Sequence, residues 1–179
     1  SLFSMFFLIT LYLQQVLGMS ALDAGLAYLP LAIAIILAAG MAGQLVTRVG
    51  FKPVMTAGLL FVAVALGWFT QISPDGSYAS DVLGPSVVAG IGLGLTFVPV
   101  TIAAMSGSKR EEAGLASGLI NTSQQVGGAL GLAILASIAN STTTSSFADG
   151  STQAVALTDG FSAAFLVGLI HRRAQVVVG

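Results

Sequence analysis

Each of the six basic residues in this chain follows an even-numbered apolar run. Arg48 and Lys52 come after the second run, Lys109 and Arg110 after the fourth, and Arg172 and Arg173 after the sixth. The stretches between carry Asp23, Asp75, Asp81, Asp149 and Asp159, with neither Lys nor Arg. Lys and Arg are retained on the cytoplasmic side of a spanning chain. The alternation therefore predicts a multi-pass, all-α membrane protein with both termini cytoplasmic. Charge content agrees. Only 7% of residues are charged, against about 25% in a soluble domain, too few to cover a soluble surface. Mean hydropathy is +0.95.

The same counts exclude several chemistries. A net charge of -1 provides no basic footprint for nucleic acid. The chain has no cysteine, which rules out disulfides and thiolate metal sites. The single histidine, His171, forms neither a zinc site nor an acid–base pair alone. The reading is thus of a non-enzyme, with no cofactor and no metal. The chain starts at Ser1 and runs directly into Leu2 and Phe3 without a basic n-region. It reads as the interior of a longer protein rather than a signal peptide.

Six apolar segments are predicted, at 2–17, 24–46, 53–72, 80–105, 113–139 and 160–170. Together, 1–170 reads as one six-helix transmembrane bundle. A span needs ~20 residues at 1.5 Å each, and segments two to five reach that. The sixth does not: 161–170 covers ~15 Å of a ~30 Å core before His171, Arg172 and Arg173. Continuing the helix would set both arginines at mid-membrane, at ~2.5–3.5 kcal/mol each. Residues 171–179 are therefore read as a truncated cytoplasmic tail; the alternative is a short helix with snorkelling arginines. The uncharged Ser/Thr/Asn run at 140–146 is expected to be a flexible external loop.

Small residues inside the segments predict close helix packing in lipid, at Gly90 and Gly94 in the fourth and at Gly114, Gly118, Gly127, Gly128 and Gly131 in the fifth. Gly90, Gly92 and Gly94 follow no strand, so they do not form a nucleotide loop. Three polar faces stand out. Phe7, Thr10 and Gln14 share one in segment one; Ser86, Gly90, Gly94, Phe97 and Thr101 share one in segment four. Ser117, Asn121, Gln124, Gln125 and Gly128 form the most polar stripe, in segment five. In lipid such a stripe must face protein or water, as a substrate contact, a contact with an opposing half, or interhelical hydrogen bonding. Pro99 favours a kink in segment four. Trp68 and Tyr78 suit an outer aromatic belt.

The turn after segment two reads Gly43-Gln44-Leu45-Val46-Thr47-Arg48-Val49-Gly50-Phe51-Lys52-Pro53. Gly43 is expected to end the helix and Gly50 to turn the chain. Arg48 either pairs with a helix C-terminus or a neighbouring acid, or simply marks topology, as Lys52 does. This turn resembles the major facilitator signature G-x-L-x-D-R-x-G-R-K. Gly43, Leu45, Arg48, Gly50 and Lys52 match, with Thr47 and Phe51 departing from it. Tyr12-Leu13-Gln14-Gln15-Val16-Leu17-Gly18-Met19-Ser20, Ala24-Gly25-Leu26 with Pro30, and Glu112-Ala113-Gly114-Leu115-Ala116-Ser117-Gly118-Leu119-Ile120-Asn121-Thr122 followed by Gln125-Val126-Gly127-Gly128-Ala129-Leu130-Gly131 are similar to the fourteen-helix EmrB/QacA-type drug:proton antiporters. The likeness extends to about Gly168; the family often has Arg where Gln124 stands here.

The resemblance implies the C-terminal half of a secondary active transporter: multidrug efflux by proton antiport, with two halves rocking around a central site. Helices one and four of a half would line that cavity, which nominates Thr10, Gln14, Phe97 and Thr101. Helices two and five would meet the other half, which adds Asn121, Gln124 and Gln125. Substrates would be lipophilic, often cationic, small molecules; the partners are the lipid bilayer and the missing N-terminal half. Apart from Asp81 at the outer edge of segment four, no Asp, Glu, Lys, Arg or His lies within segments one to five, so the proton site is expected in that other half. Two alternatives stand beside this: a homodimerising half-transporter or passive pore, and a nonfunctional fragment.

Overall fold

The computed structural model describes residues 2–105 and 113–178, and every regular element there is helical. Helix α1 (Leu2–Leu11) passes into a π-helical turn, π1 (Tyr12–Val16). A short α2 (Ala21–Leu26) follows, capped by Ser20, whose hydroxyl oxygen accepts from the Asp23 N–H at 3.2 Å. Helix α3 (Leu29–Val49) carries Pro30 in its first turn, where no intrahelical N–H is required. Helix α4 (Phe51–Phe69) begins immediately after it. Gly50 alone joins the two, at φ +84°. With ψ at 169°, that backbone is essentially restricted to glycine and strained for any other residue by about 1–3 kcal/mol.

A serine capping box, Ser77 with Ser80, starts a second π-helical segment, π2 (Tyr78–Leu83), which runs into α5 (Gly84–Met105). Helix α6 (Ala113–Ala148) is the longest, and α7 (Gln153–Val178) returns against it after a turn at Gly150. Among the described residues, four helical stretches are long and apolar enough to cross a membrane: Ala21–Val49, Phe51–Phe69, Tyr78–Ile102 and Ser117–Ala148. Met5–Val16 and Gln153–Gly168 are apolar but shorter.

Helix α5 packs on α3 and α4, while α7 bridges α4 to α6, which also touches α1. The core lies where these meet: Leu8, Tyr12, Val62, Phe69, Ala89, Leu135, Phe161 and Phe165 are buried. Phe69 and Phe165 stack at 5.2 Å. Much of the outer surface is apolar, with Ile36, Leu37, Val64, Leu119 and Leu130 exposed. In water such a surface is an aggregation liability; in a bilayer it is the ordinary exterior.

The glycines of α5 explain its central position. A Cβ at Gly90 would stand 2.6 Å from the Leu31 carbonyl oxygen, and one at Gly94 2.6 Å from that of Ile35. On the opposite side a Cβ at Gly92 would meet the Val62 backbone nitrogen at 2.7 Å, and Gly58 of α4 lies as close to Thr96. Helix α5 thus approaches both neighbours backbone to backbone. Gly114, Gly118 and Gly127 of α6 have open space around them, so no neighbour among the described residues packs against them. Gly128 and Gly131 are half-buried.

Four further expectations are corrected. Residues 140–146 are helical, not a loop. Their hydroxyls satisfy themselves on the preceding turn: Ser141 donates to the Ile138 carbonyl, Thr144 to Asn140 and Ser145 to Ser141. The last helix starts at Gln153 rather than 160 and continues through 171–178, so those residues are helical. Gly43 lies inside α3, which ends only at Gly50. Asp81 belongs to helical π2 and Asp159 to α7, where the Ser146 hydroxyl donates to it at 2.7 Å. Lys109, Arg110 and Glu112 lie outside the described residues.

Candidate functional site

The signature corner is formed by the tightest connection in the chain. Arg48 is exposed in the last turn of α3, where the carbonyl end of the helix favours a cation. Lys52 is exposed in the first turn of α4. Thr47, standing where the signature has an acid, spends its hydroxyl on the Gln44 carbonyl at 2.7 Å. Gly50 alone sets the angle between the two basic residues.

The expected cavity residues separate into two groups. On α1, Thr10 is half-buried and engaged: its hydroxyl donates to the Phe6 carbonyl at 2.8 Å and lies 2.8 Å from the Tyr28 hydroxyl. Gln14, one turn on, is exposed. On α5 the proposed single face is divided. Ser86, Gly90 and Gly94 are buried, the glycines against α3. Phe97 is 65% exposed, and exposed Thr101 bonds back to the Phe97 carbonyl at 2.9 Å. Pro99 lies between them inside an unbroken helix, and its missing N–H deprives the Leu95 carbonyl of its usual donor.

Ser117, Asn121, Gln124 and Gln125 are all exposed along the first half of α6, uncovered by any of the described residues. They form an uncovered amide face beside exposed Leu115, Leu119 and Val126. Two concavities lie elsewhere. A groove of about 480 Å³ between α3 and α5 is lined by apolar residues such as Ile33, Leu37 and Met41. A smaller one lies among α1, α6 and α7. None of the seven expected cavity residues lines either. Among the described residues, no group of three or more His, Asp or Glu could hold a metal ion.

A polar node that the sequence reading missed ties π1 to π2. The Tyr12 hydroxyl lies 2.7 Å from the Ser73 carbonyl and 3.1 Å from Asp81 Oδ2, sharing one proton between two acceptors. Asp81 Oδ2 also accepts from the Ser73 N–H at 2.9 Å, and Oδ1 from the Ser80 hydroxyl at 2.6 Å. Nearby, the Tyr78 hydroxyl donates to the Ala27 carbonyl at 2.8 Å. Trp68 packs over Gly84, close enough that a Cβ there would touch its ring at 2.9 Å. Trp68 and Tyr78 therefore have packing and hydrogen-bonding work besides any belt role. The turn signal Ser73-Pro74-Asp75-Gly76 marked one side of this node; the Tyr12 partner, 61 positions away, left no local trace.

Residues 1–132 match the profile of the Major Facilitator Superfamily. The chain is 39% identical over 145 residues to the cephamycin export protein of Amycolatopsis lactamdurans, covering 80% of this chain and 30% of that protein. It is 32% identical over 178 residues to the puromycin resistance protein of Streptomyces alboniger, 94% of this chain and 35% of the relative. The tetracenomycin C resistance and export protein of Streptomyces glaucescens is 35% identical over 129 residues, 72% of this chain and 24% of its own length. The chain thus spans about a third or less of these relatives. Apolar helices, a profile match over most of the length and these relatives together make it a multi-pass membrane protein of the bacterial inner membrane. The chain belongs to the Major Facilitator Superfamily.

Proposed function

We propose that this chain is the C-terminal half of an EmrB/QacA-type drug exporter. Its helices form six spans, with both ends cytoplasmic and the Arg48–Lys52 corner on the cytoplasmic side. Lipophilic, often cationic, drugs bind between it and an N-terminal half near the midplane, and the two halves rock to alternate access. Proton antiport drives export, with the coupling carboxylate in the other half. The observation that carries this reading is the likeness to three proteins named for antibiotic export or resistance. The uncovered Asn121–Gln124–Gln125 face supports it, because amides facing lipid must find a partner.

The test is drug accumulation in cells that carry the full-length gene, with and without a protonophore. Lower accumulation, restored by the protonophore, supports proton-driven export. Equal accumulation in cells with and without the gene overturns it. The same amide face also fits a second copy of the chain, in a homodimeric half-transporter or passive pore. Cysteine crosslinking at Asn121 separates the two: crosslinks between copies favour the homodimer, and crosslinks within one long polypeptide favour two halves.

A further inference from the structure

The smaller cavity has a volume of about 190 Å³ and lies among α1, α6 and α7. Phe7, Leu11 and Phe161 form apolar walls; Gln15, Asn140 and Thr143 form a polar side. We propose that it is a separate binding subsite for one neutral ring of a substrate, aromatic or alicyclic, bearing a carbonyl or amide; this rests on the exporter reading above.

Size supports a single ring. Engineered apolar cavities of about 150 Å³ bind benzene, and two phenylalanines supply ring faces and edges for stacking. Chemistry supports neutrality. No Asp, Glu, Lys, Arg or His lines the cavity, so a cation there would find no counter-charge. The Gln15 and Asn140 amides each donate and accept, which suits a carbonyl or an amide.

Local structure holds the polar side in place. Asn140 and Thr143 face this cavity only because 140–148 is helical; as a loop they would be free of it. Close packing of Gly160 against the Ala139 carbonyl, where a Cβ would stand 2.5 Å away, presses α7 onto that turn. Gln15 lies in π1, and π-turns are rare and concentrated at functional positions. None of Thr10, Phe97 and Thr101, the positions expected from the family resemblance, lines it.

The experiment is photolabelling of the purified full-length transporter in lipid nanodiscs with a phenyl-amide diazirine, mapped by mass spectrometry. Label is expected on the peptides containing 136–143 and 157–161, displaced by excess acetanilide and not by tetrabutylammonium. Ala136→Phe fills the cavity and should reduce that label at least tenfold. Asn140→Leu changes an exposed side chain and should weaken acetanilide displacement about threefold to tenfold, the worth of one hydrogen bond. Label elsewhere, equal labelling in both variants, or displacement by oleate but not acetanilide overturns the subsite, the last by making the occupant a lipid tail. Drug export by the wild type is measured in parallel. Export without this label sinks the subsite alone; absence of export sinks the exporter reading.

Discussion

Glycine recurs at helical spacing in both α5 and α6, and the two runs end in opposite environments. Around Gly90, Gly92 and Gly94 the backbones of α3 and α4 come so close that no methyl group fits. Around Gly114, Gly118 and Gly127 there is open space. A small residue permits close approach but does not supply the neighbour. The glycine seams of α5 with α3 and α4 are closed within this chain. The first half of α6, with its amides and exposed leucines, has not.

Substitution should separate the two regions most sharply at their glycines. Gly94→Leu in α5 drives a side chain into the α3 backbone, which cannot yield as a flexible side chain would. Loss of about 3 kcal/mol or more is expected, at or beyond the upper end of overpacking penalties, read as an earlier midpoint in SDS unfolding of the reconstituted protein. An unchanged midpoint would break the comparison. Next in size is Asp81→Ala, which orphans the Ser73 N–H at the π1–π2 node and leaves the Tyr12 hydroxyl only the Ser73 carbonyl; about 1–3 kcal/mol is expected in the same assay. Gly50→Ala should cost about 1–3 kcal/mol, because φ +84° with ψ 169° is a backbone region essentially restricted to glycine. Gly118→Leu in α6 comes last, with a change within about 0.5 kcal/mol in the isolated bundle. If the same substitution abolishes drug export by the full-length protein, the open face of α6 is a contact surface; intact export would identify it as lipid-facing.

Legibility in the sequence followed how local each feature is. The apolar runs, the Gly50 turn and the small residues of α5 are patterns within a few positions, and each corresponds to a structural element. The 140–146 run was misread because Ser and Thr signal loops by composition. Within a helix their hydroxyls can bond to the carbonyl three or four residues back, as Ser141, Thr144 and Ser145 do. The start of α7 was missed for a related reason: Gln153, Thr158 and Asp159 dilute the apolar pattern, although Thr158 is buried and bonded to the Ala154 carbonyl. Whether Ser86 and Gly90 face a cavity or another helix depends on where α3 lies, which no periodicity records. The Tyr12–Asp81 contact spans 69 positions and belongs to the same class.

The glycine contacts of α5 also bear on how motion could pass through the molecule. Where backbone meets backbone, there are no rotamers to exchange and little side-chain entropy to lose or regain. Such a seam has one arrangement and no soft intermediate. Helices α3, α4 and α5 are joined by two of these seams and by the single-residue Gly50 corner, so they form a stiff plate with no slack in its linkage. A push on Arg48 or Lys52 at one end of that plate would reach the Tyr12–Asp81 node at the other as displacement rather than as local repacking.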